Sequence, residues 1–270
     1  MKCQIIMDAL ERIAPKTLAE DWDNPGLLVG AYNQEINKIM VCLDVSDSVI
    51  AKAVTENVDM IISHHPLLFK AIKNIRTDLT LGRQLQQLLK HDIAVAAAHT
   101  NLDIAEGGVN DVLAAAIGLE KLAAFVITRQ TAEGKIASLG RIGRLSEAMT
   151  AADFAVHIKN VLPTDYVRLV EAGGRRPVRK VAICSGSGAE FIERAAFMGA
   201  DAYVTGDVKY HDAQRAKELG IHVIDAGHFG TEYPVVKDLQ QRLAEELAQA
   251  KGRVTIIADE TAKDFFEVIK

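Results

Sequence analysis

Two stretches of this chain run through the same strand, helix, strand order at a fixed offset, and that repeat limits the possible fold more than any single motif. Lys38-Ile-Met-Val-Cys42 and Asp59-Met-Ile-Ile-Ser63 fall on Lys180-Val-Ala-Ile-Cys184 and Asp201-Ala-Tyr-Val-Thr205 at an offset of 142 residues, with no gap between them. Short continuous apolar runs of this kind suit strands covered on both faces. The segments between them, 46–57 and 189–198, read as helices, with Ser46 as an N-cap. Each stretch continues into a further helix and strand: 79–91 with 93–98, and 210–219 with 221–225. The expectation is an α/β fold of two related lobes with parallel-rich sheets flanked by helices.

Between the repeats, residues 109–118 and 151–162 read as helices and 136–144 and 166–170 as strands. Gly173, Gly174 and Pro177 mark a turn or hinge. We place the lobe boundary near residue 125, giving a first lobe of 1–125 and a second of 126–270 that includes a connecting segment, 126–178. Ahead of the repeat, 3–14 reads as an amphipathic helix stopped by Pro15, and Asp23-Asn-Pro-Gly26 as a turn before the apolar Leu27-Leu-Val29.

In parallel sheets, ligands gather at the carboxyl ends of strands, where loops converge and helices begin. Ser63-His-His-Pro66 follows one such strand, His99-Thr-Asn-Leu-Asp103 a second, and His228-Phe-Gly-Thr-Glu232 a third. The last two share a His-x-x-x-acid spacing at the same place in each repeat, although the offset there falls to 129 residues. Adjacent histidines at a strand end point in different directions, which suits two neighbouring metals. Imidazole and carboxylate ligands without cysteine suit zinc, manganese, iron, nickel or cobalt alike. Gly206-Asp-Val-Lys209-Tyr210-His211 stands where the repeat places the His64-His65 pair, and is expected to wall the pocket. Gly186-Ser-Gly188 follows a strand and opens a helix, so its N–H groups are candidates to cradle a phosphate.

Composition narrows the function classes. At 270 residues, 49% hydrophobic and 25% charged, the chain can bury a core in one large or two ordinary domains. A net charge of −5 with scattered basic residues argues against a dedicated nucleic-acid binder and leaves nucleic acid at most a local substrate. No apolar run nears the ~20 residues that span a bilayer, and Asp8, Glu11 and Arg12 interrupt the start, so a cytoplasmic protein without a membrane partner is expected. Cys3, Cys42 and Cys184 lack metal-motif spacing, and Cys42 and Cys184 read as small core residues.

Together, Trp22-Asp-Asn24 with Gly26-Leu27, Ser63-His-His-Pro66, His99-Thr-Asn-Leu-Asp103, Gly206-Asp207 with Tyr210-His211, and Gly227-His228 with Glu232 resemble the GTP cyclohydrolase I type 2 homologue family, also called NIF-three-like. The resemblance runs almost end to end. It implies a dinuclear metal site in the cleft between two related lobes, with His64, His65, Asp103, His228 and Glu232 as ligands and Glu232 bridging both ions. It also implies assembly into a homohexamer. Some longer members carry an inserted domain between the lobes, which this chain is too short there to hold. The reaction implied by the name uses metal-activated water on a guanine ring, and enzymes known for it carry a cysteine-containing zinc site.

The leading expectation is a metal-dependent hydrolase acting on a nucleotide or small phosphorylated compound. His99 or His211 would act as general acid or base. Lys209, Gly186 and Gly188 would receive a phosphate, and Tyr210 and Phe229, with His211, would flank a base. The alternatives are a dinuclear phosphoesterase and a non-catalytic metal-binding assembly or regulatory protein.

Overall fold

The computed structural model describes residues 1–269 except 131–135, 174–176, 249 and 251; Gly174 of the expected hinge lies outside the described residues. The chain forms two compact units, Met1–Ala105 with Val236–Ala262, and Glu106–Val235 with Lys263–Lys270. The division therefore falls at 105–106 rather than near 125, because the segment that follows builds a hairpin on the second sheet. Residues 236–262 return to the first unit, so neither unit is one continuous lobe.

In the first unit, helix α1 (Cys3–Ile13) precedes strand β1 (Gly26–Val29). The repeat then supplies β2 (Lys38–Cys42), α2 (Asp47–Thr55), β3 (Met60–Ser63), α3 (Thr80–Lys90) and β4 (Ala94–Ala97), followed by the short α4 (Thr100–Ile104). Ser46 caps α2 as expected, its hydroxyl accepting from Val49 N–H at 3.2 Å. Strands β2, β3 and β4 lie side by side and parallel, and β1 pairs antiparallel with β4. A strand with no counterpart in our sequence reading, β11 (Thr255–Ala258), runs parallel to β2 on the other edge. Met40 and Cys42 on one face of the sheet pack with Val49, Ile50 and Ala53 of α2 and Leu85 and Leu88 of α3.

The second unit opens with α5 (Val109–Ile117) and a long antiparallel hairpin, β5 (Glu120–Gln130) with β6 (Ile136–Met149). It continues through α6 (Ala151–Val161), β7 (Arg168–Val170), β8 (Val178–Ser187), α7 (Ile192–Phe197), β9 (Ala202–Gly206), α8 (Tyr210–Leu219), β10 (His222–Asp225) and α9 (His228–Glu232). Strands β8, β9 and β10 again lie in order and parallel, with β7 antiparallel on the outside of β10. The sheet as a whole is mixed, because β6 joins β8 antiparallel. Alternation along β8 sends Val181 and Ile183 toward α5 and α6, and Ala182 and Cys184 toward α7 and α8. Helix α10 (Val235–Leu247) leads the chain out of this unit toward β11.

The two units are built alike down to single hydrogen bonds. Asp59 accepts from the N–H groups of Asn37 and Lys38 at 2.7 and 2.9 Å, and Asp201 does the same for Arg179 and Lys180 at 3.1 and 2.8 Å. Lys38 Nζ donates to the Glu56 carbonyl and Lys180 Nζ to the Met198 carbonyl, again 142 residues apart. The relationship between the lobes is therefore structural, beyond a shared hydrophobic rhythm. Among the described residues no helix is long and apolar enough to cross a membrane.

Candidate metal centre

In the first unit, the strand ends bring His64, His65 and His99 together. The chain continues past β3 in strand-like pairing, His64 N–H donating to Cys42 O at 3.1 Å and His65 N–H to Leu43 O at 2.9 Å. This pairing fixes both side chains, with rings 5.0 Å apart and tilted by 44°. His99 stands at the end of β4, where it caps α4. One ring nitrogen from each of the three lies within 4.8 Å of the others.

Each ring is held through Nδ1 by an oxygen. His64 Nδ1 lies 2.9 Å from the Ala98 carbonyl, His65 Nδ1 2.8 Å from Asp44 Oδ1, and His99 Nδ1 2.7 Å from Asp23 Oδ1. With Nδ1 committed to an oxygen, Nε2 is the nitrogen through which each ring can act as a ligand or move a proton. This is the support that metal-binding histidines require, since the outer partner fixes tautomer and ring orientation. Buried Asp103, one turn into α4, places Oδ1 3.7 Å from His64 Nε2. The residues present thus fit a divalent ion: borderline nitrogen donors and a carboxylate, with the outer bonds already made.

Asp23 makes further bonds. Burial alone would raise its carboxyl, but hydrogen bonds from His99 and Thr100 outweigh burial and hold it at about 2. Thr100 contributes both its N–H, at 3.0 Å, and its hydroxyl, at 2.5 Å.

In the second unit, α9 starts directly at His228, and Glu232 follows one turn later on the same face. His228 Nε2 lies 3.1 Å from the buried Glu232 Oε2, and His228 Nδ1 lies 2.8 Å from Asp207 Oδ2. Asp207 adopts a left-handed backbone, φ 56°, which turns its carboxylate back toward α9. Buried Asp225 ties the two loops together, accepting from Val208 N–H at 3.1 Å and Gly227 N–H at 3.0 Å, and it also pairs with Arg168.

In the Gly186-Ser-Gly188 turn two of the donors expected to face a phosphate are engaged within the fold: Gly186 N–H bonds Thr231 Oγ1 at 2.9 Å and Gly188 N–H bonds Thr205 Oγ1 at 3.0 Å. Gly186 also makes room. A Cβ there would lie 2.2 Å from Glu232 Oε1. Lys209 is exposed at the start of α8, where its N–H donates to Asp212. His211 is exposed with Nδ1 3.4 Å from Gln214 Oε1, and it joins no convergent ligand group among the described residues. Tyr210 is exposed and meets the His211 ring edge-on, while the Phe229 ring stacks on Tyr233 at 4.7 Å. Of the expected base-flanking residues, Tyr210 and His211 thus pair with each other and Phe229 with Tyr233.

Sequence reading missed the anchoring carboxylates. Asp44 stands just past β2, a strand-end position that is itself a signal, and Asp207 belongs to the loop expected to wall the pocket. All three cysteines are buried, and burial, followed by Asp259 and Asp44, pushes the Cys42 thiol well up.

Known proteins resemble this chain along nearly its whole length. The profile of the Duf34/NIF3 (NGG1p interacting factor 3) family matches residues 1–264. The "GTP cyclohydrolase 1 type 2 homolog" of Clostridium perfringens is 38% identical over 270 residues, covering 100% of both chains, and its Clostridium acetobutylicum namesake is 35% identical over 90% of each. Among solved structures, a Bacillus cereus protein related to NIF3 superposes with a TM-score of 0.94 at 29% identity, covering 100% of this chain and 99% of that one. Reduced HcgD from Methanocaldococcus jannaschii gives a TM-score of 0.79 at 34% identity, covering 96% and 97%. With a family profile matched along nearly its whole length and such relatives end to end, the chain belongs to the Duf34/NIF3 family.

Proposed function

We propose that this protein is a dinuclear metal-dependent hydrolase acting on a nucleotide or another small phosphorylated compound. The observation that carries the proposal is the convergence of His64, His65 and His99, each ring held through Nδ1 by an oxygen acceptor. On this reading His64, His65, Asp103, His228 and Glu232 hold two divalent ions, more ligands than one closed site requires. When bound, such ions supply Lewis-acid charge and make water acidic enough to attack near neutral pH. His99, oriented by Asp23, is the proton-transfer residue: Asp23 stays a carboxylate at every physiological pH, fixes the Nδ1 proton, and presents Nε2 to the cluster.

The name carried by the relatives supports a nucleotide as substrate class. On this reading no cysteine of this chain holds the metal, since all three are buried core residues. A homohexamer is the assembly we propose, to be measured by sedimentation.

The test restores stripped protein with zinc, manganese and iron in turn. Elemental analysis should find about two ions per chain, and a nucleotide and phosphoester panel should release formate or phosphate. Asp103→Ala should abolish release while the circular dichroism spectrum persists. One ion or none per chain overturns the dinuclear reading. A blank panel with fully metallated protein overturns the hydrolase and favours a metal-binding assembly role.

A further inference from the structure

The histidine cluster of the first unit is flanked by two large aromatic side chains that the folded chain leaves in solvent. Trp22 is 59% exposed and Phe69 46% exposed, yet their rings meet edge-on at 5.8 Å and each meets His99 edge-on, at 6.1 and 6.2 Å. The arrangement is held in place. Asn24 Nδ2 donates to the Leu68 carbonyl at 2.6 Å, which ties the turn carrying Trp22 to the segment carrying Phe69. Asp23, between Trp22 and Asn24, grips His99 and Thr100. The same short turn therefore orients the proton-transfer histidine and sets the aromatic pair beside it. Leaving this much aromatic surface wet forgoes the favourable burial that such side chains ordinarily find.

We infer that Trp22 and Phe69 form a stacking site for a planar heteroaromatic ring of the substrate, beside His99. With the rings already edge-on to each other, a ligand ring stacks on their exposed faces instead of sliding between them. Edge-on contact of both with His99 sets such a ring next to the nitrogen that moves the proton. This inference rests on the hydrolase reading for its use, and it replaces the base-flanking role expected of Tyr210 and Phe229.

Trp22 is the only tryptophan of the chain, so its fluorescence reports on this position alone. Full-length protein restored with metal is titrated with guanosine, adenosine and ribose 5-phosphate, with calorimetry as a second readout. The nucleosides should quench Trp22 saturably and ribose 5-phosphate should not. Phe69→Ala should weaken nucleoside binding on the order of tenfold, the scale of one lost base–aromatic contact, with metal content unchanged; Trp22→Leu should do the same by calorimetry, and alanine at Phe197, an exposed aromatic of α7, should have no effect. Unsaturable quenching, or unchanged affinity in both aromatic variants, overturns the stacking site. So does a Trp22 signal that follows protein concentration and ignores nucleoside, which would assign the aromatics to contact with a second copy. Saturable stacking without turnover upholds this inference and sinks the hydrolase. Phosphate release from a non-aromatic phosphoester with no nucleoside response does the reverse.

Discussion

Gly186 shows that a single glycine can carry a second role that its sequence pattern does not announce. A glycine turn between strand and helix is the pattern of a phosphate cradle, but here φ is +62° and an added Cβ would meet Glu232 Oε1 at 2.2 Å and His228 Nε2 at 3.3 Å. Gly186→Ala should therefore fold with a penalty of roughly 1–2 kcal/mol from the left-handed backbone and lose metal far beyond that penalty. Metal content near wild type would show that Glu232 is not held against this glycine. The anchoring carboxylates give a second test. Asp44→Asn and Asp207→Asn keep the shape of the side chain but remove the charge that fixes His65 and His228. Each should weaken metal binding roughly 10–100-fold, as loss of an outer partner does, with thermal stability unchanged. Chelator competition measures it, and equal affinity in both variants would strip these residues of their role. The candidate ligands were legible because histidine pairs and His-x-x-x-acid spacings are local patterns. Asp23, Asp44 and Asp207 were not assigned, because their partners lie 76, 21 and 21 residues away.

At the scale of elements, what was legible is what repeats. The 142-residue offset correctly joined β2 and β3 to β8 and β9, and the structure extends the match to a preceding antiparallel strand on the outside of each third strand. It also sets His99 and Asp103 in the places of His228 and Glu232, each histidine at the start of a short helix and held by a carboxylate. The β5–β6 hairpin was missed in half: β5 is exposed along much of its length and does not alternate cleanly, so it offers no strand pattern. The repeat makes a prediction of its own. Asp59 and Asp201 each satisfy two N–H groups at the head of the first strand of their repeat, one exposed and one part-buried, and alanine at either leaves both donors without that acceptor. A loss of about 1–2 kcal/mol is expected at each, read as a shift of denaturation midpoint by a probe in the affected unit. A large effect at one and none at the other would mean that the shared hydrogen bonds are not equivalent in energy.

For the whole molecule, the decisive feature is the return of residues 236–262 to the first unit, where β11 covers the edge of β2. The apolar spacing of Val235, Val236, Leu239, Leu243 and Leu247, all buried, marks α10 as a helix, but no local pattern says which unit a terminal strand will join. Pairing across more than 200 residues is a property of the folded chain. The return is fastened by Asp259, whose N–H donates to Val41 O at 2.7 Å and whose buried carboxylate accepts from Lys52 Nζ at 3.0 Å and Thr261 Oγ1 at 2.7 Å. Burial opposes the charge, but the bonds from Thr261 and Lys52 prevail and hold the carboxyl below its usual range. A carboxyl depressed in the folded state binds its proton more readily when unfolded, so its stabilising contribution is complete above the unfolded value near ~3.9 and is lost as pH falls through the folded one. Asp259→Asn should thus lower the urea midpoint at neutral pH, and the gap to wild type should close as both are taken into acid. Lys52→Met should reproduce the neutral-pH loss in part, because it removes the cation from the buried carboxylate and keeps the Thr261 bonds. A gap that stays constant or widens toward acid would mean that the charge of Asp259 does not fasten the terminal segment.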